Sequence, residues 1–495
     1  MKKFLITGLL GLILTISLNA QNQKKPNVLF IFADDQTFES IGSLNNNEIK
    51  TPNLDRLKDM GATFTHTFNQ GSWCPAVCVA SRCMLNTGKF VWRAAQYSKN
   101  AQPRGDKNLP ENMPKYTVGM KTPKGYWPEF MKAEGYDTYF AGKWHVERKA
   151  NEIFDVTGTV RGGMPNQTRE RYDRKFIEGE SDTWSPYDKS KNGFWKGGKH
   201  WSEVLGDEAL GFLETAKNDN DPFFMYVAFN APHDPRQSPK KYVDMYPVEN
   251  ISIPENFLPE YPYCEEAGSG HKLRDEKLAP YPRTEYSIQV NRQEYYAIIT
   301  HMDDQIGRIL NALEASGKAK NTYVIFTADH GLALGDHGFV GKQNMYDRSI
   351  RVPMFVAGPG IEGGKVIDEK VYLQDAMATS LDIAGSKAID EVDFKSLLPL
   401  SQGKTKKGYD AIYGAYVGNQ RMIRTDRYKM IIYPLANMVR LYDIKNDPDE
   451  INDLAGNMKY KKVMDKLFKQ FKELQKEVED PLDVTEYYVN FFSRN

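Results

Sequence analysis

Cysteine is scarce in this chain, with four among 495 residues, too few for a dense disulfide framework, although an exported protein could pair them. Three of the four, Cys74, Cys78 and Cys83, crowd into one short segment, and Cys264 lies far away. Their C-x3-C-x4-C spacing fits no usual zinc knuckle, so at least one of them needs another explanation. An excess of either charge sign is missing too: Lys+Arg and Asp+Glu number 65 each. That balance argues against nucleic acid or a membrane surface as partner, because both select a basic excess. Any work on an anion must come from locally gathered charge. Beyond residue 18 no run is long and apolar enough to span a membrane.

The start of the chain reads as an export signal over residues 1–20. Lys2 and Lys3 form a basic segment, residues 4–18 are apolar, and Leu18-Asn19-Ala20 offers small-residue processing after Ala20. The hydrophilic residues 21–25 directly behind so short a run disfavour a membrane anchor. No cysteine stands at the processing point, which disfavours a lipoprotein. The expected location is periplasmic or secreted.

What is present is an alternation of short apolar strands and helical patterns. Residues 27–32, 136–140, 223–229 and 323–326 read as buried strands, and residues 304–313 belong to a helix. Thr51, Pro52 and Gly61 mark the start and stop of another helix, with Thr51 as its N-cap. Such alternation predicts an α/β fold with a large, central, mostly parallel sheet flanked by helices. Residues 25–390 are expected to form this larger domain, with a linker near residues 385–406. Residues 400–495 are expected to form a smaller α+β domain: strands at 412–416 and 427–433 make an antiparallel sheet, beside an amphipathic helix at 460–478. Residues 99–124, 157–199 and 264–283 read as long surface loops.

Ligands of parallel sheets bind beyond the carboxyl ends of the strands. Here four strands end in Asp34-Asp35, in Lys143 and His145, in His233, and in Asp329-His330. Three carboxylates and an imidazole at one sheet edge suit a divalent cation, and oxygen-dominated ligation favours calcium or magnesium over zinc. The segment Cys78-Val79-Ala80-Ser81-Arg82 opens a helix closed by Gly88 and puts Cys78 and Arg82 on one face. The N-terminus of a helix favours an anion. A nucleophile beside an arginine there suits a tetrahedral oxyanion. Taken alone, the segment fits a free or disulfide-bonded structural cysteine better.

The ordered set of these motifs resembles the type I, formylglycine-dependent sulfatases of the alkaline phosphatase superfamily. The resemblance runs from Pro26 to about Leu454. It rests on Pro26-Asn27-Val28-Leu29-Phe30, Asp34-Asp35, the C-x-A-S-R segment from Cys78, Gly142-Lys143-Trp144-His145, Ala231-Pro232-His233 and Thr327-Ala328-Asp329-His330-Gly331. Lys342, Arg351-Val352-Pro353 and Leu441-Tyr442-Asp443 complete it. The resemblance implies that Cys78 is oxidised to formylglycine, whose aldehyde hydrates to a diol. Asp34, Asp35, Asp329, His330 and one oxygen of residue 78 would hold calcium, with magnesium the second choice. Arg82 would assist the diol. Lys143, Lys342 and His233 would bind the substrate, the two lysines holding the sulfate oxygens. His233 would protonate the departing sugar oxygen and His145 would take the proton from the remaining hydroxyl.

Many family members have Pro where this chain has Ala80. That departure implies a radical-type, anaerobic maturase as partner. The implied substrate is a sulfate monoester on a sulfated carbohydrate, attacked in exo fashion. Three other readings compete: a phosphonate or phosphate ester hydrolase of the same superfamily, a sulfated-glycan binder without turnover, and a disulfide-stapled binding protein. Trp73, His200, Asp234 and Arg236 are candidates to line a sugar pocket. Cys74 and Cys83 are expected to be packing residues. His301-Met302-Asp303-Asp304 imitates a metal cluster but lies in a helical pattern, where capping or an internal hydrogen bond is the better explanation.

Overall fold

A computed structural model describes residues 24–98, 121–165 and 169–494. The expected export signal and most of the loop at 99–124 lie outside the described residues. In chain order the strands are β1 Asn27–Ala33, β2 Ala62–Phe68, β3 Gly71–Ser72, β4 Asp137–Lys143, β5 Val156–Arg161, β6 Phe223–Ala228 and β7 Thr322–Ala328. They continue with β8 Arg351–Val352, β9 Met354–Ala357, β10 Lys365–Tyr372, β11 Ile412–Tyr416, β12 Gln420–Arg424, β13 Tyr428–Tyr433 and β14 Met438–Asp443.

The large sheet runs β10-β2-β9-β7-β1-β6-β4-β5, with β8 pairing to β2. From β7 through β5 every pairing is parallel. Strand β1, NVLFIFA, is buried along its whole length, as a strand covered on both faces must be, and it reads as a continuous apolar run. One face carries an aromatic cluster in which Phe30 meets Trp127 at 4.8 Å and Tyr226 at 4.7 Å between ring centroids. Helix Glu285–Ala315 packs against helices Trp201–Lys217 and Pro52–Met60. A second helical group joins Val77–Thr87, Trp127–Ala133 and Asp375–Ala384.

The smaller sheet runs β14-β13-β12-β11-β3 and is antiparallel except where β3 joins β11. Gly71, at φ +87°, allows this junction, because a Cβ there would collide with the carbonyl oxygen of Ala415. Helix Lys461–Glu477 buries Met464, Leu467 and Phe471 in the core under this sheet.

Helix Val77–Thr87 is buried at every position and ends at Gly88 in the left-handed conformation. Its Leu85 belongs to the core of the large sheet, while Val77, Ala80, Cys83 and Met84 belong to the core of the small one. The segment bearing Cys78 is thus clamped between the two cores.

Two local expectations differ from the structure. Thr51 precedes helix Pro52–Met60, but its side chain makes no cap hydrogen bond. Its hydroxyl accepts from Gly42 N and donates to Asp55. Asp303, from the middle of helix Glu285–Ala315, caps that N-terminus instead, accepting from Asn53 N at 3.0 Å and Leu54 N at 2.7 Å. The acidic group in the helical pattern is therefore a cap delivered across a helix–helix contact. The expected linker near residues 385–406 is folded: Lys387–Glu391 forms a 3-10 turn, Leu398–Ser401 a helical turn, and Leu397 and Leu400 enter the core.

Candidate active site

The strand order brings the chemistry together. Strands β7, β1, β6 and β4 are consecutive neighbours, and their carboxyl ends are level. Ala33 lies beside Ala328, Phe32 beside Ala228, and Gly142 beside Ala228. Each strand then turns off the sheet and releases its polar residues on the same edge. Gly142 has φ +101°, and a Cβ there would collide with the carbonyl oxygen of Ala228, so glycine at this point lets Lys143 approach. Asp35 and His145 also hold left-handed backbone, at φ 66° and 56°, a conformation that costs a non-glycine residue about 1–2 kcal/mol. At Asp35 the Tyr295 hydroxyl offsets this by donating to the Asp35 carbonyl at 2.7 Å and accepting from Thr37 N at 3.0 Å.

Cys78 sits at the floor of a cavity of about 400 Å³ that Lys143, His145, His233 and Lys342 also line. Lys342 Nζ lies 3.0 Å from Cys78 Sγ and 2.5 Å from Asp35 Oδ1. Cys78 Sγ is 3.4 Å from Asp34 Oδ1 and 3.8 Å from Asp35 Oδ1. Lys143 Nζ donates to Asp34 Oδ2 at 2.5 Å. Arg82, one helical turn after Cys78, is fully buried. Its Nε donates to Asp329 Oδ2 at 2.9 Å and its Nη1 to the Lys143 carbonyl at 2.7 Å. The guanidinium lies over the Phe32 ring at 4.7 Å, so helix, β7 and β4 are tied through one side chain.

Donor atoms of Asp34, Asp35, Cys78 and His233 all lie within 4.8 Å of one another. Asp329 and His330 adjoin this group without belonging to it. The Asp329 carboxylate accepts from Asp35 N at 3.0 Å as well as from Arg82. His330 Nδ1 faces the Gly331 carbonyl at 2.9 Å, and its buried Nε2 has no hydrogen-bond partner. That pattern fixes Nδ1 as the protonated nitrogen and leaves a lone pair on Nε2, as a metal-ligating imidazole requires.

Electrostatics separate the three histidines. Burial disfavours charge on His233, but the Asp234 carboxylate, 2.9 Å from Nδ1, outweighs it and lifts the pKa well above the usual value. Burial, then Lys143 and Arg82, depress His145 to about 3. Burial lowers His330 to about 4. One imidazole is thus held charged and two neutral. The Cys78 thiol is pushed up, first by burial and then by Asp329, the opposite of what a plain thiolate nucleophile needs.

Of the four residues suggested for a sugar pocket, three are structural. Trp73 is fully buried in the second core. His200 caps helix Trp201–Lys217 by accepting from Ser202 N. Arg236 donates to Asn291 Oδ1 at 2.9 Å. Asp234 contributes indirectly, by holding His233 and accepting from the Tyr172 hydroxyl. Sequence reasoning did not single out Arg274, Asp275 and Gln343, which line the cavity; the only signal was that two of them lie in the long loop at 264–283. All four cysteines are free and buried, so Cys74 and Cys83 are packing residues and no disulfide staples this chain.

The sequence matches the family description "Sulfatase" over residues 26–386 and "N-sulphoglucosamine sulphohydrolase, C-terminal" over residues 335–477. A sulfatase of Formosa agariphila is 30% identical over 94% of this chain and 90% of its own length. An N-acetylglucosamine-6-O-sulfatase of Bacteroides thetaiotaomicron is 25% identical over 96% of this chain and 91% of its own length. A structure described as a complex with its substrate D-glucosamine-2-N,6-O-disulfate superposes with a TM-score of 0.70 at 23% identity, covering 92% of this chain and 99% of that one. Fold and sequence thus define a hydrolase of the alkaline phosphatase superfamily. Within it, the chain belongs to the sulfatase family.

Proposed function

We propose that this sulfatase is exported to the periplasm or beyond and removes sulfate from a sulfated carbohydrate by exo action, using residue 78 in its formylglycine form. The observation that carries the reading is the surroundings of Cys78, whose Sγ marks where the reacting oxygen of the matured side chain would stand. Two lysines, one arginine and two carboxylates converge there from four separate parts of the chain. Relatives named for N-acetylglucosamine-6-O-sulfate and for ulvan support a carbohydrate ester as substrate. Residues 25–390 would be the catalytic domain and 400–495 its C-terminal subdomain.

Asp34, Asp35, Asp329 and His330 would hold calcium together with residue 78. The carboxylate-rich donor set and the unpartnered His330 Nε2 fit such a hard cation. Calcium there would supply fixed positive charge to polarise a sulfate oxygen and stabilise the nucleophile.

The remaining work falls to the chain's own side chains. Lys342, paired with Asp35, lies against Cys78, and Lys143, paired with Asp34, lines the same cavity; both would hold the sulfate oxygens, stabilising charge as it develops. Arg82 holds Asp329 and the Lys143 backbone in register with Cys78. His233, kept charged by Asp234, donates a proton to the departing sugar oxygen. His145, kept neutral, accepts the proton that accompanies sulfate release. Ala80, where many family members have Pro, points to a radical-type maturase as partner.

The test is mass spectrometry of the residue-78 peptide from protein made in its native host, combined with a screen of monosulfated sugars that scores the sulfated position. An aldehyde at residue 78 and turnover of at least one sulfated sugar are expected. An unmodified thiol in active protein, or faster turnover of phosphonate and phosphate esters than of every sulfate ester, overturns the reading.

A further inference from the structure

Cys264 is the one cysteine far from the nucleophile segment, and it does not stand alone. It lies in the loop that begins after Pro259, where Glu260, Cys264 and His271 place one donor atom each within 4.8 Å of the others. Cys264 Sγ is 3.7 Å from Glu260 Oε1, and His271 Nε2 is 2.8 Å from the same oxygen. In a tetrahedral zinc site, bonds of about 2.3 Å to sulfur and about 2.0 Å to nitrogen or oxygen set ligand atoms about 3.3–3.8 Å apart. The sulfur–oxygen separation already fits. The nitrogen–oxygen pair needs to open by about half an ångström, exchanging one hydrogen bond for two metal bonds.

The three side chains are held for this geometry. The His271 ring stacks on Tyr281, with 3.9 Å between centroids, and its backbone N–H donates to Glu265 Oε1 at 3.0 Å. Gly270 leaves the space that the Glu265 carboxylate fills. Cys264 is anchored by Cys264 N donating to the Tyr261 carbonyl and Ser269 N donating to the Cys264 carbonyl. Glu260 and His271 are exposed while Cys264 is buried, so an ion can arrive from solvent and meet sulfur on the inner side. Of the eight histidines, all within the described residues, only His271 is exposed.

We infer that Glu260, Cys264 and His271 form a second metal site, separate from the catalytic one, for a thiophilic divalent ion of the zinc class. Sulfur and imidazole ligation excludes calcium and magnesium, which prefer oxygen. A water or Glu265 completes the fourth position. Binding exchanges the Cys264 S–H bond for a sulfur–metal bond and releases one proton to solvent, so affinity rises with pH. The consequence reaches the catalytic cavity through the chain. Leu273, Arg274 and Asp275 follow His271 after one intervening residue and line that cavity, so the ion fixes the stem of a loop that borders the catalytic cavity. This inference does not depend on the proposed substrate or on maturation of Cys78.

Titration of calcium-replete, reduced full-length protein with Co²⁺, followed by zinc competition, tests it. One equivalent of Co²⁺ is expected to produce a thiolate-to-metal charge-transfer band in the near ultraviolet, and zinc should displace it. Cys264→Ser should abolish the band, and His271→Ala, an exposed position that leaves the core intact, should weaken Co²⁺ and Zn²⁺ binding by at least about a hundredfold. Cys78→Ser should leave the band in place. No band in the wild type, or a band that survives Cys264→Ser or disappears with Cys78→Ser, overturns the proposal.

Discussion

Removing Arg82 should unfold this protein far more readily than it disturbs packing, and a second substitution should reverse most of that loss. Arg82 is fully buried, and Arg82→Met keeps an unbranched apolar stem of the first three side-chain positions while removing the guanidinium and its contact with the Phe32 ring. With the guanidinium goes the charge paired to Asp329 at 2.9 Å and lying 3.9 Å from Asp34. Breaking one partner of a buried pair costs about 3–5 kcal/mol, because the surviving charge is left in a poorly solvating interior. The lost bond to the Lys143 carbonyl adds about 1 kcal/mol.

Asp329→Asn in the same chain removes the stranded charge while its Oδ1 still accepts from Asp35 N. The double variant should therefore recover at least about 2 kcal/mol relative to the sum of the two single changes, a coupling within the range for contacting groups. Urea unfolding at neutral pH with a calcium chelator present, so that only the protein's own charges are compared, gives the four corners of the cycle. Activity should stay lost in all three variants. A cost below about 1 kcal/mol for Arg82→Met, or strict additivity in the double variant, refutes the view that this guanidinium holds the site together by charge.

Lys342→Ala should lower kcat on a sulfate ester by about a hundredfold to a thousandfold, as removal of one preorganised charge-stabilising donor does; a change confined to KM would assign Lys342 to binding alone. Asp303→Ala leaves Asn53 N and Leu54 N without a cap and should cost about 2–4 kcal/mol in urea unfolding, with unchanged activity per folded molecule. His337 is stacked on Tyr346 with 3.6 Å between ring centroids, its Nε2 accepts from Asn256 Nδ2, and burial lowers its pKa to about 4. The folded protein thus holds it neutral, whereas the unfolded chain protonates near pH 6.5. Its contribution of about 3 kcal/mol is present above pH 6.5 and lost as pH falls toward 4. His337→Gln should flatten that acid decline in stability, and an unchanged slope would count against a buried neutral imidazole.

The sequence alone carried the strands of the large sheet, because β1, β6 and β7 are buried on both faces and must be continuously apolar. It carried the pairing of Cys78 with Arg82, because four residues make about one helical turn, and it carried the acidic strand ends, because two acidic endings on one sheet edge are more than caps or solvated turns account for. It could not carry strand order, which depends on crossovers rather than on any local pattern. Only tertiary structure made β7, β1, β6 and β4 neighbours, and so turned four separate endings into one site.

The same limit hid Asp303 as a cap for a helix 250 residues away in sequence, and it hid Arg274 and Asp275 as cavity residues. It also hid Glu260, Cys264 and His271 as a group, since three donors spread along an irregular loop have no period to betray them. Cysteine scarcity drew the eye to Cys78 from composition alone. What surrounds Cys78, and what surrounds Cys264, was decided by which distant segments the fold brings within bonding distance.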